Sequence, residues 1–192
     1  MRIIAGVHRG RRLIAPRGSS TRPTTDRVRE ALFAILGDLS QARILDAYAG
    51  SGALGMEALS RGAARCVFVE SRGDAVRTIT TNLQALGLQS QAVVIHAELE
   101  RCKGPLEHEA PYDVVLADPP WPIADTAARL LLRVVGPLLS PQATVVIGHP
   151  RRQPVKLGPE LGFAQTQTRH WGDSAMSWYL KSDFLPPSSN AR

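Results

Sequence analysis

From residue 42 onward, short runs of apolar residues alternate with longer segments in which apolar positions recur every three or four residues. The short runs predict strands over Arg43–Tyr48, Cys66–Glu70, Ala92–His96, Tyr112–Ala117, Ala143–Gly148, Phe163–Thr168 and Met176–Lys181. The longer segments predict helices over Leu54–Ser60, Asp74–Leu86 and Thr126–Leu139. Strand and helix in alternation is the pattern of βαβ units, whose crossover helices join parallel strands, so the fold class is α/β with a doubly wound, mostly parallel sheet. No helix-length segment separates the last two strands, which are expected to pair antiparallel at one end of the sheet.

Ahead of this pattern, Arg2-Ile3-Ile4 and Arg12-Leu13-Ile14 flank a stretch holding Gly6 and Gly10, which predicts a short N-terminal β-hairpin with arginines on its exposed face. Pro16 to Pro23 reads as a loop. Thr25 then caps a helix whose first turn holds Asp26, whose apolar face is Val28, Leu32, Ile35 and Leu36, and which Gly37 ends. Pro186-Pro187-Ser188-Ser189-Asn190 reads as part of a disordered tail. The expected division is residues 1–24 as a basic hairpin and loop, 25–184 as one α/β domain and 185–192 as the tail.

A length of 192 residues suits one such domain, and 44% hydrophobic with 21% charged residues argues against disorder. No apolar run approaches the roughly 18 residues that span a bilayer, and Met1 to Gly6 lack the apolar stretch of a secretion signal. A cytoplasmic, membrane-free protein is expected, and a monomer by default. Cys66 and Cys102 have the spacing of neither a zinc site nor a redox pair and are expected to be reduced and structural. His8, His96, His108, His149 and His170 are too scattered to ligate a metal, so no metal is expected.

Charge changes the picture more than composition does. The net +6 lies entirely in residues 1–30, where eight arginines face only Asp26 and Glu30; the other 162 residues hold fifteen basic and fifteen acidic side chains. A basic arm on a neutral body fits a polyanionic partner, because clustered arginines neutralise phosphates and release counterions.

Two motifs carry candidate chemistry. The run from Ile44 through Asp46 to Gly50-Ser51-Gly52-Ala53-Leu54-Gly55 passes from a strand through a glycine turn into a helix, and Glu70 ends the next strand. Open α/β sheets hold nucleotide-like ligands in this way, with the acid accepting ribose hydroxyls. The turn alone fits NAD as well as S-adenosylmethionine. Asp46 separates them, since an acid before the turn repels a pyrophosphate but attracts an ammonium beside a sulfonium. Ser51 is not a nucleophile elbow, because positions 49 and 53 are alanine where that motif needs glycine.

The second motif, Asp118-Pro119-Pro120-Trp121, follows a strand at the same rim. Two prolines remove two backbone donors, leaving a segment of acceptors, and a base amino group needs acceptors. The Asp118 carboxylate and the Pro119 carbonyl are placed to take its hydrogen bonds, and Trp121 to stack on the base.

These residues resemble the Rossmann-like methyltransferases of exocyclic amines, and in particular the RsmD family of bacterial 16S rRNA guanine-N2 methyltransferases. The likeness covers most of the chain: Arg2-Ile3-Ile4-Ala5-Gly6 with Arg9-Gly10-Arg11, Arg22 through Glu30, Leu45-Asp46 through Gly62, Phe68-Val69-Glu70, and Asp118-Pro119-Pro120-Trp121. The Arg22 to Glu30 string is the most specific of these. The resemblance implies a seven-stranded sheet with an antiparallel last strand, in a methyltransferase domain over 25–184. It implies that S-adenosylmethionine is held by Asp46, Ala47, Tyr48, Ala49, Gly50, Ser51, Gly52, Glu70, Ser71 and Asp118. It further implies that 16S rRNA or the small ribosomal subunit is gripped through Arg2, Arg9, Arg11, Arg12, Arg22, Thr25, Arg27 and Arg29. Such enzymes usually carry Phe or Tyr where this chain has Trp121. Where an acid or amide often reads adenine, the chain has His96-Ala97-Glu98, making Ala97 and Glu98 the candidates. The alternatives are a DNA methyltransferase acting on adenine N6 or cytosine, disfavoured because no separate recognition domain is present, a non-catalytic RNA-binding assembly factor, and a NAD-dependent oxidoreductase.

Overall fold

The computed structural model describes residues 1–16, 25–157 and 159–182. Strands β1 (Arg43–Ala47), β2 (Arg65–Glu70), β3 (Ala92–His96), β4 (Tyr112–Ala117), β5 (Leu139–Pro150), β6 (Phe163–Trp171) and β7 (Ser174–Lys181) form one seven-stranded sheet in the order β3-β2-β1-β4-β5-β7-β6. β1 to β5 pair in parallel, and β7 runs antiparallel to both β5 and β6. The strand order reverses direction between β1 and β4, which opens a crevice beyond their carboxyl ends.

The pleat decides which helix covers which face. Ile44, Cys66, Phe68, Val114, Leu116 and Val146 point to one side, under α1 (Asp26–Leu36), α2 (Ala53–Ser60) and α3 (Gly73–Leu86). Leu45, Val67, Val69, Val115, Ala117, Val145 and Ile147 point to the other, under α4 (Lys103–Glu109) and α5 (Ala124–Val135). With both faces covered, the central strands read as unbroken apolar runs. Thr25 caps α1 by accepting the Val28 N–H at 3.4 Å, and the Gly37 N–H closes its far end on Phe33 O. The helix predicted to reach Leu139 stops at Val135. Gly136-Pro137 turns instead into a 3-10 segment, because proline has no N–H to continue the helix, and Leu139 then starts β5. Both cysteines are buried and free.

The N-terminal arm forms the predicted short hairpin, with Leu13 N donating to Met1 O at 3.0 Å, Ile3 N to Arg11 O at 2.9 Å and Gly10 N to Ile3 O at 2.9 Å. Arg2 and Arg12 face each other across it in an antiparallel bridge. Other backbone groups of the arm bond to the helices. Ile4 and Ala5 donate to the Glu57 carboxylate at 2.7 and 3.0 Å, Val7 donates to Ser60 O at 2.9 Å, and Ile14 donates to Asn82 Oδ1 at 2.9 Å. Ile3 and Leu13 bury themselves in the α1–α3 face. The predicted loop beyond Pro16, with Arg22, and the predicted tail at 185–192 lie outside the described residues.

Glu57 itself is buried and is also paired with Arg61 at 2.8 Å. Glu57→Ala would leave two backbone N–H groups and a guanidinium without their acceptor, at a cost of about 3 kcal/mol. In a domain of this size that lowers Tm by on the order of 10 °C, measurable by calorimetry. A Tm within a degree or two of the wild type would mean that the arm is not fixed by this carboxylate. No helix among the described residues is long and apolar enough to cross a membrane.

Candidate active site

Three acids converge because the pleat has a period of two. Asp46, Glu70 and Asp118 each lie two residues beyond an apolar residue of the α1–α3 face, namely Ile44, Phe68 and Leu116. They therefore emerge on the same side, at the carboxyl ends of the adjacent strands β1, β2 and β4. There they open on a cavity of about 590 Å³. Its wall includes Asp46, Tyr48, Ala49, Gly50, Ser51, Glu70, Ser71, Ala97 and Glu98 at one end and Asp118, Pro119, Pro120 and Trp121 at the other.

The glycine turn is braced by these acids. Asp46 Oδ2 accepts the Gly55 N–H at 2.9 Å, satisfying one of the orphan donors at the start of α2. Glu70 accepts from Gly50 N at 2.7 Å with one oxygen and from Arg72 N at 2.8 Å with the other, leaving further lone pairs for a ligand hydroxyl. Tyr48 sits at φ 57°, a left-handed conformation unusual outside glycine, and the strain marks where β1 breaks into the turn. Ala47 and Gly52 were expected to touch the donor but form no part of the cavity wall. Ala47 points to the opposite face of the sheet, and Gly52 supplies the left-handed turn, φ 74°, that opens α2.

Burial pushes the Asp46 carboxyl well above the usual carboxylate range, although the Gly55 N–H opposes the shift, and the charges of Asp118 and Glu70 raise it further. Burial, helped by Glu100 and Glu98, likewise pushes the Tyr48 phenol up to about 12. With Glu98 and Asp173 also on the wall, five carboxyl groups surround a cavity whose basic side chains, among the described residues, are Arg29 and Arg72. Such a pocket attracts cations and repels a pyrophosphate. Among the described residues no cluster of His, Cys, Asp and Glu is arranged to hold a metal.

At the acceptor end, Trp121 begins a 3-10 turn, Trp121–Ile123, closed by the Ile123 N–H on Pro120 O at 3.0 Å. The residue is 38% exposed and lies in the cavity wall, within reach of a planar partner. A residue absent from the predicted site makes room for Asp118. A Cβ on Gly148 would lie 2.4 Å from Asp118 Oδ1 and 3.5 Å from its Cα. In the β4/β5 register Ala117 sits opposite Ile147, so one step further Asp118 meets position 148.

Of the predicted RNA-binding residues, Arg2, Arg9, Arg11, Arg12 and Arg27 are exposed, with Arg2 also paired to Asp26 at 3.1 Å and Arg11 reaching Ala85 O at 2.7 Å. Thr25 is exposed, but its hydroxyl oxygen serves as the α1 cap. Arg29 must be corrected. It is 1% exposed and donates to Arg2 O at 2.5 Å and to Asp26 at 2.8 Å, so it locks the arm to α1 from within and cannot reach a phosphate. Met1, Arg29, Ala53, Leu54, Val69, Arg72, Leu99, Pro122 and Asp173 complete the cavity wall without having been expected there.

Comparison with known proteins gives the same picture. A family profile described as conserved hypothetical protein 95 matches residues 1–180. Bacillus subtilis YlbH, provisionally named an rRNA methyltransferase, is 36% identical over 184 residues, 94% of this chain and 99% of that protein. The ribosomal RNA small subunit methyltransferase D of Haemophilus influenzae is 38% identical over 160 residues, 81% of each chain. The structure of Escherichia coli yhhF, provisionally named a methyltransferase, superposes with a TM-score of 0.75 at 31% identity, over 94% of this chain and 97% of that one. This chain therefore belongs to the conserved hypothetical protein 95 family, the RsmD family of methyltransferases.

Proposed function

We propose that this protein transfers the methyl group of S-adenosylmethionine to the exocyclic N2 amine of a guanine in the 16S rRNA of the small ribosomal subunit. The observation that carries the reading is the joining, in one cavity, of an acid-walled glycine turn to an acceptor-only tetrapeptide. The donor fits the first part: Asp46 and its acidic neighbours suit an ammonium beside a sulfonium, Glu70 a ribose, and the rim around Ala97 and Glu98 an adenine. When bound, the donor supplies an electrophilic methyl group.

The rest is done by the chain. The Asp118 carboxylate and the Pro119 carbonyl accept the two N–H groups of the amine, hold it in place and concentrate its lone pair on the side facing the donor. Asp118 also offsets the positive charge that develops on the nitrogen during transfer. Trp121 stacks on the base and fixes its plane, so the catalytic gain is mainly alignment of two bound reactants.

The reading is tested by incubating the protein with methyl-labelled donor and unmodified small subunits, naked 16S rRNA or duplex DNA, then identifying the modified nucleoside by mass spectrometry. N2-methylguanosine in the rRNA substrates is the expected product. Label in DNA alone would replace the reading with a DNA methyltransferase.

The state of Asp46 makes donor affinity depend on pH. A carboxyl whose folded-state pKa is raised keeps its proton above the ordinary aspartate range, so the ligand-free fold loses stability as pH rises toward the raised value. A cation beside Asp46 favours the carboxylate, so binding releases a proton. The affinity for S-adenosylhomocysteine, which carries the ammonium, should rise as pH increases above the ordinary aspartate range, and Asp46→Asn should flatten the profile. A flat wild-type profile by calorimetry would remove Asp46 from donor recognition.

The exposed arginines make a separate prediction. Arg9→Ala together with Arg12→Ala should weaken rRNA binding at low salt and reduce the slope of log K against log salt by about 0.7 to 0.9 per lost phosphate contact. An unchanged slope in a filter-binding titration would return the arm to an ordinary solvated surface.

A further inference from the structure

The residue that joins the arm to the glycine turn is Asn82. It lies on α3, is buried, and was marked by no motif. Its Oδ1 accepts the Ile14 N–H at 2.9 Å, which fixes the orientation of the amide, because only the oxygen can face a backbone donor. Its Nδ2 then donates to Ile14 O at 3.0 Å and to Ser51 O at 3.4 Å. Ile14 ends the arm, and Ser51 is in the wall of the donor cavity. One side chain thus holds both the basic arm and the turn that would cradle the donor.

A second connection runs alongside it. The Ser51 hydroxyl lies 3.3 Å from Met1 Sδ, and Met1 opens the arm. Further along, the arm is seated on α2, the helix that leaves the glycine turn. Val7 N donates to Ser60 O, His8 N donates to Ser60 Oγ at 3.0 Å, and Ser60 Oγ donates to Ala5 O at 2.6 Å. Gly6 allows this seating. Its φ is +81°, and a Cβ there would stand 1.7 Å from Ser60 O. The outer surface of the same arm carries exposed Val7, Arg9 and Arg12.

We infer that Asn82 couples the two binding events, so that rRNA on the arm and donor in the cavity each raise the affinity for the other. This rests on the proposed function. The physical basis is shared order. Clamping the arm from outside restrains Ile14 and, through the Asn82 amide, the Ser51 carbonyl, so a donor meets a turn that is already fixed. Coupling of this kind is reciprocal and typically amounts to 5- to 150-fold in affinity, roughly. Asn82 is a positioning residue, and no group on it touches either reactant.

The test uses the full chain, labelled S-adenosylhomocysteine, and unmodified small subunits as the RNA probe, with donor Kd measured by equilibrium dialysis with and without saturating subunits. In the wild type, subunits should tighten S-adenosylhomocysteine binding at least about fivefold. In Asn82→Asp, which keeps the acceptor for Ile14 N–H but loses both donated bonds, the ratio should fall to less than about twofold. Gly6→Ala, which lifts the arm off α2 without touching the turn, should do the same and carries the test if Asn82→Asp does not fold. A merely structural Asn82 would lower Tm while leaving the ratio unchanged, and that result overturns the inference. So does a wild type that binds both partners with a ratio near one, in which case the coupling fails but the functional reading stands. A wild type that binds neither partner would overturn the functional reading, and the coupling with it.

Discussion

Asp118→Ala should lower the rate of methyl transfer by about two to three orders of magnitude, the loss seen when one preorganised electrostatic partner is removed from a transition state. The effect should fall on kcat, measured in single-turnover reactions, because the carboxylate faces the amine rather than the donor. Donor affinity should not drop. The Asp118 charge is one of the influences that hold the Asp46 carboxyl protonated, so its removal favours the Asp46 carboxylate and, with it, a cationic ligand. S-adenosylhomocysteine should therefore bind Asp118→Ala at least as tightly as it binds the wild type. Asp118→Asn is the sharper variant. It keeps a side chain of the same shape but replaces one acceptor oxygen with an N–H donor facing the N–H groups of the base. Transfer at the wild-type rate in either variant would remove Asp118 from the mechanism.

The parts of this site that could be read in the sequence are those governed by local rules. Short apolar runs located β1, β2 and β4, and the residues at their carboxyl ends, Asp46, Glu70 and Asp118, are where an open α/β sheet binds its ligands. The glycine turn and the two prolines speak for themselves because their backbone chemistry is fixed by residue type. What could not be read depends on contacts between distant residues. Arg29 looked like its exposed neighbours, and only the path of the arm across α1, which brings Arg2 O to its guanidinium, shows it as an internal clamp. The arm closes the hairpin its composition suggests, but the N–H groups of Ile4, Ala5, Val7, His8 and Ile14 pair with Glu57, Ser60 and Asn82, fifty or more residues away. No periodicity announces such pairings, and a buried asparagine on a helix has no signature in a single sequence.

Gly148 belongs to that second group, and it gives the other large effect. It stands in an apolar strand, Val145-Val146-Ile147-Gly148, where a glycine weakens the strand unless something approaches closely. The Asp118 carboxylate is what approaches. Gly148→Ala places a methyl group 2.4 Å from Asp118 Oδ1. Backbone on the adjacent strand cannot yield easily, so the side chain must rotate away. Transfer should then fall about as far as in Asp118→Ala, on the order of 10²-fold or more, while donor binding persists and Tm changes by only a few degrees. The double variant separates displacement of the carboxylate from general damage to β5. If Gly148→Ala acts only by moving the Asp118 carboxylate, adding it to Asp118→Ala should cost almost nothing further, because the group it displaces is already gone. A double variant whose losses multiply would show instead that the alanine disturbs the sheet itself, and that Gly148 serves the fold and not the orientation of the catalytic acid.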